Sequence, residues 1–211
     1  MRIGIIGIGN VGSALARGLM GKGHALVLGT RDPAEAAALR LAAETGASLA
    51  TPQAAAADAE IVILALPWAV AAEAVRGLGD LAGKIVIDCM NPLGMVDGVL
   101  GLTVGHTTSG AEILAGWLPG ARIVKTLNQV GAEIMADTSG LPQRPVMFMA
   151  GDDAPAKATV AGLLSALGFE ALDAGDLSKA RLLEPLAMVW INQALLRGKG
   201  RLWAFAAVAR S

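Results

Sequence analysis

The sequence predicts an α/β fold in which helices cover both faces of a doubly wound, mostly parallel sheet. Short runs rich in Ile, Val and Leu alternate with alanine-rich stretches of helical length along most of the chain. Two of the strongest runs, at residues 61–66 and 85–88, lack the polar alternation of a half-exposed strand and are typical of strands covered on both faces. Repeated strand-helix-strand units of this length indicate parallel strands with right-handed crossovers.

The predicted elements follow one another in a regular order. Strands are expected at residues 2–6, 25–29, 61–66, 85–88, 122–127, 146–150 and 169–173, the last at a sheet edge. Helices are expected at residues 11–20 and 34–45, between the strands at 61–66 and 85–88, from a capping box at Ser109 to Glu112, and at residues 152–167 and 178–196. We expect a single domain over residues 1–211, with residues 178–211 as a short C-terminal helical extension.

Composition excludes several classes of function. The net charge of −1 gives no electrostatic footprint for nucleic acid or for an anionic membrane, so neither is an expected partner. The single cysteine, Cys89, precludes an intrachain disulfide and is expected to be a small buried hydrophobe. No metal-ligand spacing is present, and the apolar run at the N-terminus is too short for a signal peptide. The sequence therefore predicts a cytoplasmic protein without a metal.

The most informative motif is the glycine turn Gly7-Ile8-Gly9-Asn10-Val11-Gly12, which directly follows the first strand and opens a helix. In this context Gly7 permits the tight turn, Gly9 lets the backbone approach a pyrophosphate, and Gly12 lets the helix lie close to the strand. The amides at the helix N-terminus attract phosphate. The motif thus predicts a Rossmann-type dinucleotide site.

The residues after the second strand indicate which dinucleotide binds. Sites for NAD usually place a carboxylate there, whereas this chain has Thr30-Arg31. Thr30 can donate a hydrogen bond to a 2′-phosphate, and Arg31 can pair with it. Asp32 could serve NAD instead, but Asp32-Pro33 is typical of a helix N-cap followed by proline. We therefore expect NADP(H).

Ligands of doubly wound sheets bind beyond the carboxyl ends of the strands. Residues expected to contact the cofactor there are Leu66, Pro67, Trp68, Asn91 and Pro92, and those expected to contact the substrate are Thr126, Asn128 and Gln129. None of these positions holds an evident acid or base. Hydride transfer between two cofactor rings needs alignment more than a proton donor, whereas reduction of a carbonyl usually needs one.

Four segments carry a resemblance to a known family. They are the turn from Gly7 to Gly12, the triplet Gly29-Thr30-Arg31, the triplet Leu66-Pro67-Trp68, and a closing block from Gly151-Asp152-Asp153 through Asp173-Ala174-Gly175 to Leu183-Glu184-Pro185-Leu186. Taken in order over nearly the whole chain, they resemble the coenzyme F420-dependent NADP oxidoreductase family.

That resemblance implies hydride transfer between NADPH and the deazaflavin F420. It places Thr30 and Arg31 at the 2′-phosphate, the turn at Gly9 to Val11 at the pyrophosphate, and Pro67-Trp68 near the nicotinamide ribose. The segment from Thr126 to Gln129 would face the second cofactor. Archaeal members have a histidine where this chain has Asn128, and a related domain of membrane ferric reductases passes hydride to a flavin. FMN or FAD therefore stays open as the acceptor beside F420.

The sequence also leaves two alternative functions open and favours one oligomeric state. A small imine or β-hydroxyacid reductase begins with a similar turn but adds a large helical domain with a catalytic lysine, for which only residues 177–211 are available here. An NADPH-binding sensor without turnover would also need no acid or base. Apolar residues of the final helix and C-terminus favour a homodimer; they are Leu182, Leu183, Leu186, Val189, Trp190, Leu196, Trp203 and Phe205.

Overall fold

An eight-stranded sheet runs through the middle of the molecule, and helices pack on both of its faces. The computed structural model describes residues 1–210. Its strands are β1 (Arg2–Ile6), β2 (Ala25–Gly29), β3 (Ser48–Ala50), β4 (Ile61–Leu64), β5 (Ile85–Asp88), β6 (Leu93–Val96), β7 (Val99–Leu102), β8 (Arg122–Lys125), β9 (Val146–Ala150) and β10 (Glu170–Gly175). Its α-helices are α1 (Asn10–Leu19), α2 (Ala36–Thr45), α3 (Pro52–Ala57), α4 (Trp68–Arg76), α5 (Gly110–Trp117), α6 (Ala132–Ala136), α7 (Ala154–Ala166) and α8 (Ala180–Ile191).

The strand order of the main sheet is β10-β9-β8-β5-β4-β1-β2-β3. The six strands from β8 to β3 are mutually parallel, β9 meets β8 antiparallel, and β10 lies parallel to β9 at the edge. This confirms the predicted doubly wound, mostly parallel sheet and its edge strand. The order of winding reverses between β1 and β4, which creates the crevice where such sheets bind ligands.

Alternation along the central strands divides the core into two layers. Ile3 and Ile5 of β1 lie in the layer that includes α1 and α7, whereas Ile6 lies in the layer of α3, α4 and α5. Strand β4 divides in the same way, with Ile63 on the first side and Leu64 on the second. Successive side chains of a strand point to opposite faces of the sheet. Because both faces are buried here, the side chains on each face are apolar, which explains the continuous apolar runs of the sequence.

A two-stranded antiparallel hairpin, β6–β7, occupies the glycine-rich stretch for which the sequence predicted no element. Its turn is Asp97-Gly98, and both residues have positive φ, 50° and 77°. Asp-Gly between apolar residues is a strong hairpin signal, because the two-residue turn that fits twisted strands needs positive φ at both positions. The sequence therefore carries a local signal for this hairpin.

The proposed capping role of Asp32 is wrong. The predicted helix at 34–45 begins at Ala36, and its N-cap residue is Glu35. The Asp32 carboxylate instead accepts a hydrogen bond from the Ala34 amide at 2.9 Å, closing a local turn two residues before the helix. Nearby, β3 and α3 form a further strand-helix unit that the sequence did not indicate.

Other predicted elements end differently: β4 stops at Leu64 instead of residue 66, and the edge strand β10 runs on to Gly175. Strand β8 stops at Lys125, two residues early, because Leu127 adopts a φ of 58° that no strand can accommodate. The predicted helix at 178–196 consists of a 3₁₀ turn (Leu177–Lys179), α8, and a π-helical turn (Asn192–Leu196). Helix α8 contacts α5, β7 and β9, so it lies across the carboxyl end of this half of the sheet.

The close contact of α1 with the preceding turn generates a stability prediction. A Cβ atom at Gly12 would lie 1.8 Å from the Gly7 carbonyl oxygen, so Gly12→Ala must displace backbone. We expect this variant to lose about 1–3 kcal/mol of unfolding free energy in urea denaturation. Gly162→Ala is the matched control, because a Cβ on exposed Gly162 in α7 meets nothing within 4 Å. The control should gain up to about 1 kcal/mol. A Gly12→Ala protein as stable as wild type would contradict the packing argument.

Candidate functional site

The crevice at the switch point is narrow because two backbone segments meet there. Gly7, directly after β1, has a φ of +92°, and a Cβ on it would lie 2.6 Å from the Ala65 carbonyl oxygen after β4. The Gly7 amide donates to the Gly29 carbonyl at the end of β2, at 3.0 Å. The turn is therefore fixed to both neighbouring strands, and only glycine fits its first position.

The N-terminus of α1 is open. Gly9 is its N-cap residue, no side chain caps the helix, and a Cβ on Gly9 would meet nothing within 4 Å. Ser13 stabilises the turn from inside the helix, since its hydroxyl donates to the Ile8 carbonyl at 2.7 Å. Exposed Asn10 and half-buried Val11 complete the first turn. The arrangement leaves amides and a positive dipole end free toward the crevice, which suits a phosphate group.

The residues after β2 lie beside this turn. Thr30 is largely buried, and its amide donates to the Ala50 carbonyl of β3 at 3.1 Å. Arg31 is exposed, and it takes part in none of the ion pairs formed within residues 1–210. A guanidinium without a carboxylate partner is available to an anionic group of a ligand.

The predicted cofactor residues after β4 and β5 meet in one wall of the crevice. Pro67 is the N-cap residue of α4, and Trp68 stacks on Trp117 of α5 with ring centroids 5.4 Å apart. A Cβ on Gly110, the first residue of α5, would lie 3.3 Å from the Trp68 ring and 3.4 Å from Pro92. Leu66 is half-buried behind this wall, with its side chain 2.9 Å from the position of a Cβ on Gly7.

Asn91 and Asn128 join the ends of β5 and β8. The Asn91 side-chain amide donates to the Asn128 carbonyl, and the Asn128 side-chain amide donates to Asn91 Oδ1, each at 3.0 Å. Asn128 also donates to the Leu183 carbonyl in α8 at 3.1 Å. The structure therefore brings together two residues that the sequence assigned to different ligands.

The other predicted substrate residues hold the same segment from below. Thr126 donates to the Phe148 carbonyl at 2.8 Å, while the Gln129 side chain both donates to that carbonyl and accepts from the Phe148 amide. Thr126, Asn128 and Gln129 are at most 6% exposed. Their hydrogen bonds go to the protein itself, and their contact with a substrate stays a prediction.

A buried charge cluster that the sequence reading missed lies beneath the Asn91–Asn128 pair. Lys125, Asp88 and Glu184 are each no more than 1% exposed. The Lys125 ammonium lies 3.0 Å from Asp88 Oδ2 and 3.1 Å from Glu184 Oε1, and it also donates to the Met90 carbonyl. All three ammonium protons thus have acceptors, which is the condition for burying a lysine without a prohibitive cost.

The second carboxylate is balanced by a helix end. Glu184 Oε2 accepts the Gly110 amide at 2.9 Å and Oε1 accepts the Ala111 amide at 3.2 Å, both at the start of α5. Burial alone would lower the pKa of Lys125, but attraction and hydrogen bonding by Asp88 and Glu184 outweigh it and raise the pKa. The lysine is therefore charged and structural, and it does not face the crevice as a free base.

One sequence signal could have revealed this cluster. Asp88 ends the otherwise apolar strand β5, and Lys125 ends β8 directly after Ile123 and Val124. The two residues are register partners across β5 and β8. Pairing Lys125 with Asp88 requires knowing that β5 and β8 are neighbours, although the hairpin and α5 separate them in sequence.

Cys89 is buried beside Asp88, as the sequence predicted, and burial raises the pKa of its thiol. Within residues 1–210, no three His, Cys, Asp or Glu side chains converge as a metal site would require. No helix in that range has the length and apolar character needed to cross a membrane.

An open, mostly parallel sheet with a glycine turn and an uncapped helix N-terminus at its switch point defines a Rossmann-type nucleotide-binding protein. The sequence model of the NADP oxidoreductase, coenzyme F420-dependent, family matches residues 2–92. A candidate F420-dependent NADP reductase from Arthrobacter sp. FB24 is 36% identical, and the match covers 100% of both chains with a TM-score of 0.90. The chain belongs to the coenzyme F420-dependent NADP oxidoreductase family.

Two other relatives show how the same unit occurs in larger proteins. The metalloreductase STEAP3 of Rattus norvegicus is 31% identical over 188 residues, which cover 89% of this chain and 36% of that protein. A reductive aminase from Aspergillus terreus, in complex with NADPH4, cyclohexanone and allyl amine, is 25% identical with a TM-score of 0.67. That match covers 93% of this chain and 62% of the aminase. The chain thus spans only part of each.

The buried cluster generates a second prediction. Lys125→Met leaves two carboxylates without their cation, so we expect a loss of about 3–5 kcal/mol in unfolding free energy. Because the folded-state pKa of Lys125 is raised, its contribution is full below the ordinary lysine value of 10.5 and is lost as pH rises through the higher folded value. The stability gap between wild type and variant should therefore be constant near neutral pH and shrink above pH 10.5.

Lys157→Met supplies the control for this experiment. Lys157 pairs with Asp173 at 2.9 Å, but Asp173 is half exposed, so the control should cost only about 1 kcal/mol or less. Urea denaturation across pH gives the loss of unfolding free energy in each variant. Equal losses in Lys125→Met and Lys157→Met would show that the buried Lys125 cluster stabilises the fold no more than a partly exposed ion pair does.

Proposed function

We propose that this chain is an NADPH-dependent oxidoreductase that transfers hydride between NADP(H) and a second redox cofactor, either coenzyme F420 or a flavin. The observation that carries the proposal is the contrast between the two sides of the crevice. One side offers open amides and an unpaired Arg31, while the ionisable groups of the other side, Asp88, Lys125 and Glu184, are buried and bound to one another.

The NADP(H) half is supported by the backbone of the crevice. The turn from Gly7 to Gly12 would hold the pyrophosphate, with Gly9 leaving the space that it needs. Thr30 and Arg31 would hold the 2′-phosphate, and the wall of Pro67, Trp68 and Pro92 would shield the nicotinamide from water. When bound, the nicotinamide supplies or accepts the hydride, while the protein orients the two rings and excludes water from between them.

The residues at the ends of β5 and β8, where the acceptor would bind, favour hydride transfer between two cofactor rings over reduction of a carbonyl or imine. Those reductions usually need a positioned proton donor, and the charged residues at the ends of β5 and β8 are already fully hydrogen-bonded. Two aromatic cofactors need only to be held face to face at short range. An NADPH-binding sensor without turnover is the remaining alternative. One measurement, the oxidation of NADPH in the presence of an acceptor, distinguishes it from the proposed enzyme.

That measurement is NADPH oxidation by the purified chain, first with F420 and then with FMN. Turnover with F420 supports the family activity and makes Asn128 compatible with deazaflavin. Turnover with FMN alone assigns a flavin as acceptor. Tight NADPH binding with no turnover on either acceptor contradicts the enzyme proposal and favours the sensor.

Arg31→Ala tests the choice of dinucleotide. Loss of a charge-assisted contact of about 1.5–3 kcal/mol should weaken NADPH binding roughly ten- to hundredfold while leaving NADH binding unchanged. Arg40→Ala, on the exposed side of α2, is the matched control and should bind both as wild type does. Titration followed by tryptophan fluorescence gives the dissociation constants. Equal weakening for NADPH and NADH would mean that Arg31 does not meet the 2′-phosphate.

We also propose that the chain works as a homodimer in the cytoplasm. Two of the apolar residues expected to form this interface, Leu183 and Trp190, are buried within the chain itself and are not available to a partner. Leu182, Val189 and Leu196 of the same set are exposed, and with Met95 and Val99 of the hairpin they are between 53% and 69% exposed. A second copy that covers these residues would bury them. Light scattering should give twice the mass of the chain at micromolar protein, and Val189→Glu should shift the mass toward one copy. A monomeric wild type would refute the dimer.

A further inference from the structure

Helix α8 enters the floor of the crevice with two successive residues. The Leu183 carbonyl accepts the Asn128 side-chain amide, and the Glu184 carboxylate reaches both Lys125 and the start of α5. Among residues 1–210, no other segment is joined by hydrogen bonds or ion pairs to Asn128, Lys125 and the start of α5 together. The acceptor end of the crevice is thus fixed by a helix that contributes no residue to the predicted dinucleotide contacts.

Glu184 is the point where three elements meet. Through Lys125 it is joined to Asp88 and the Met90 carbonyl, which fixes the chain as it leaves β5 toward Asn91 and Pro92. Asp88 Oδ1 adds a hydrogen bond from the Met90 amide at 2.9 Å, so this exit is held from two sides. Through the Gly110 and Ala111 amides, Glu184 also fixes the start of α5.

The start of α5 is in turn part of the crevice wall. Gly110 is packed so closely that an added Cβ would lie 3.1 Å from Glu184 Oε1, 3.3 Å from the Trp68 ring and 3.4 Å from Pro92. A shift of Glu184 would therefore be transmitted to Trp68 and Pro92 through Gly110. By contrast, β1, the glycine turn and Arg31 have no hydrogen bond to this cluster within the described chain.

We propose that Glu184 is a positioning residue for the second redox cofactor. It acts through the buried Lys125 and the first amides of α5, and it sets the distance between the wall at Trp68 and the floor at Asn91 and Asn128. The inference rests on the proposed function, because it assumes that the acceptor ring lies at this end. It predicts an asymmetric defect, since the phosphate-binding half of the crevice is built from other elements.

Glu184→Gln tests this with little change in shape. The amide keeps one acceptor oxygen but cannot offer acceptors to Lys125, Gly110 and Ala111 together. We expect kcat/KM for the acceptor to fall roughly ten- to hundredfold through misalignment. The NADPH dissociation constant should stay within about twofold of wild type, because the proposed pyrophosphate and 2′-phosphate contacts, which carry most of the affinity, are unaffected even when the nicotinamide wall at Trp68 and Pro92 shifts. The amides of Gly110 and Ala111 should also lose protection from hydrogen exchange.

Glu112→Gln is the matched control. Glu112 likewise joins α5 to α8, through a two-pronged contact with Arg181 at 2.9 and 2.5 Å, but this pair is partly exposed and does not touch Lys125. The control should retain wild-type kinetics and wild-type protection of the Gly110 amide.

The outcomes separate the two proposals. Wild-type protein that oxidises NADPH with neither F420 nor FMN refutes the proposed function and this inference with it. Active wild type combined with unchanged acceptor kinetics in Glu184→Gln refutes only the positioning role. The same holds if Glu184→Gln and Glu112→Gln lose activity equally, or if NADPH affinity falls in parallel with acceptor turnover, because a general loosening of the fold would then explain the defect.

Discussion

The buried ammonium of Lys125 is the constraint on which one half of this molecule depends. A charged lysine can be excluded from water only if every proton finds an acceptor and a carboxylate compensates the charge. Meeting that requirement takes Asp88 from β5, Glu184 from α8 and the Met90 carbonyl. The second carboxylate then needs the amides of α5. A single desolvated charge thereby fixes four segments relative to one another at the carboxyl end of the sheet.

The other half of the crevice is built on a different principle. Around β1 and α1 the close packing of the backbone depends on glycine. Gly7 and Gly12 allow one backbone segment to approach another, and Gly9 leaves open space beside the helix N-terminus. Such a site recognises phosphate through amides and a helix dipole, so it tolerates much change in the surrounding side chains. The end of the crevice around β5, β8 and α8 instead relies on particular side-chain hydrogen bonds.

Helix α8 presents different residues to the floor of the crevice and to the solvent. Its residues 183 and 184 reach the floor of the crevice, while Leu182 and Val189 face outward and are 64% and 53% exposed. The contacts of Glu184 join α8 to the segments that end β5 and β8, and removing any one partner would leave another buried charge uncompensated.

The sequence alone determined the layered parallel sheet, the glycine turn and the absence of a carboxylate from Thr30 and Arg31, the two residues that follow β2. These features depend on local patterns: apolar runs, glycine spacing and the residue that follows a strand. Tertiary structure decided the rest. Asp32 lost its predicted capping role to a local turn, and the pairing of Asp88, Lys125 and Glu184 depended on which strands became neighbours and where α8 crossed them. Charge pairing between distant segments has no local pattern, because its energy exists only after burial has brought the partners together.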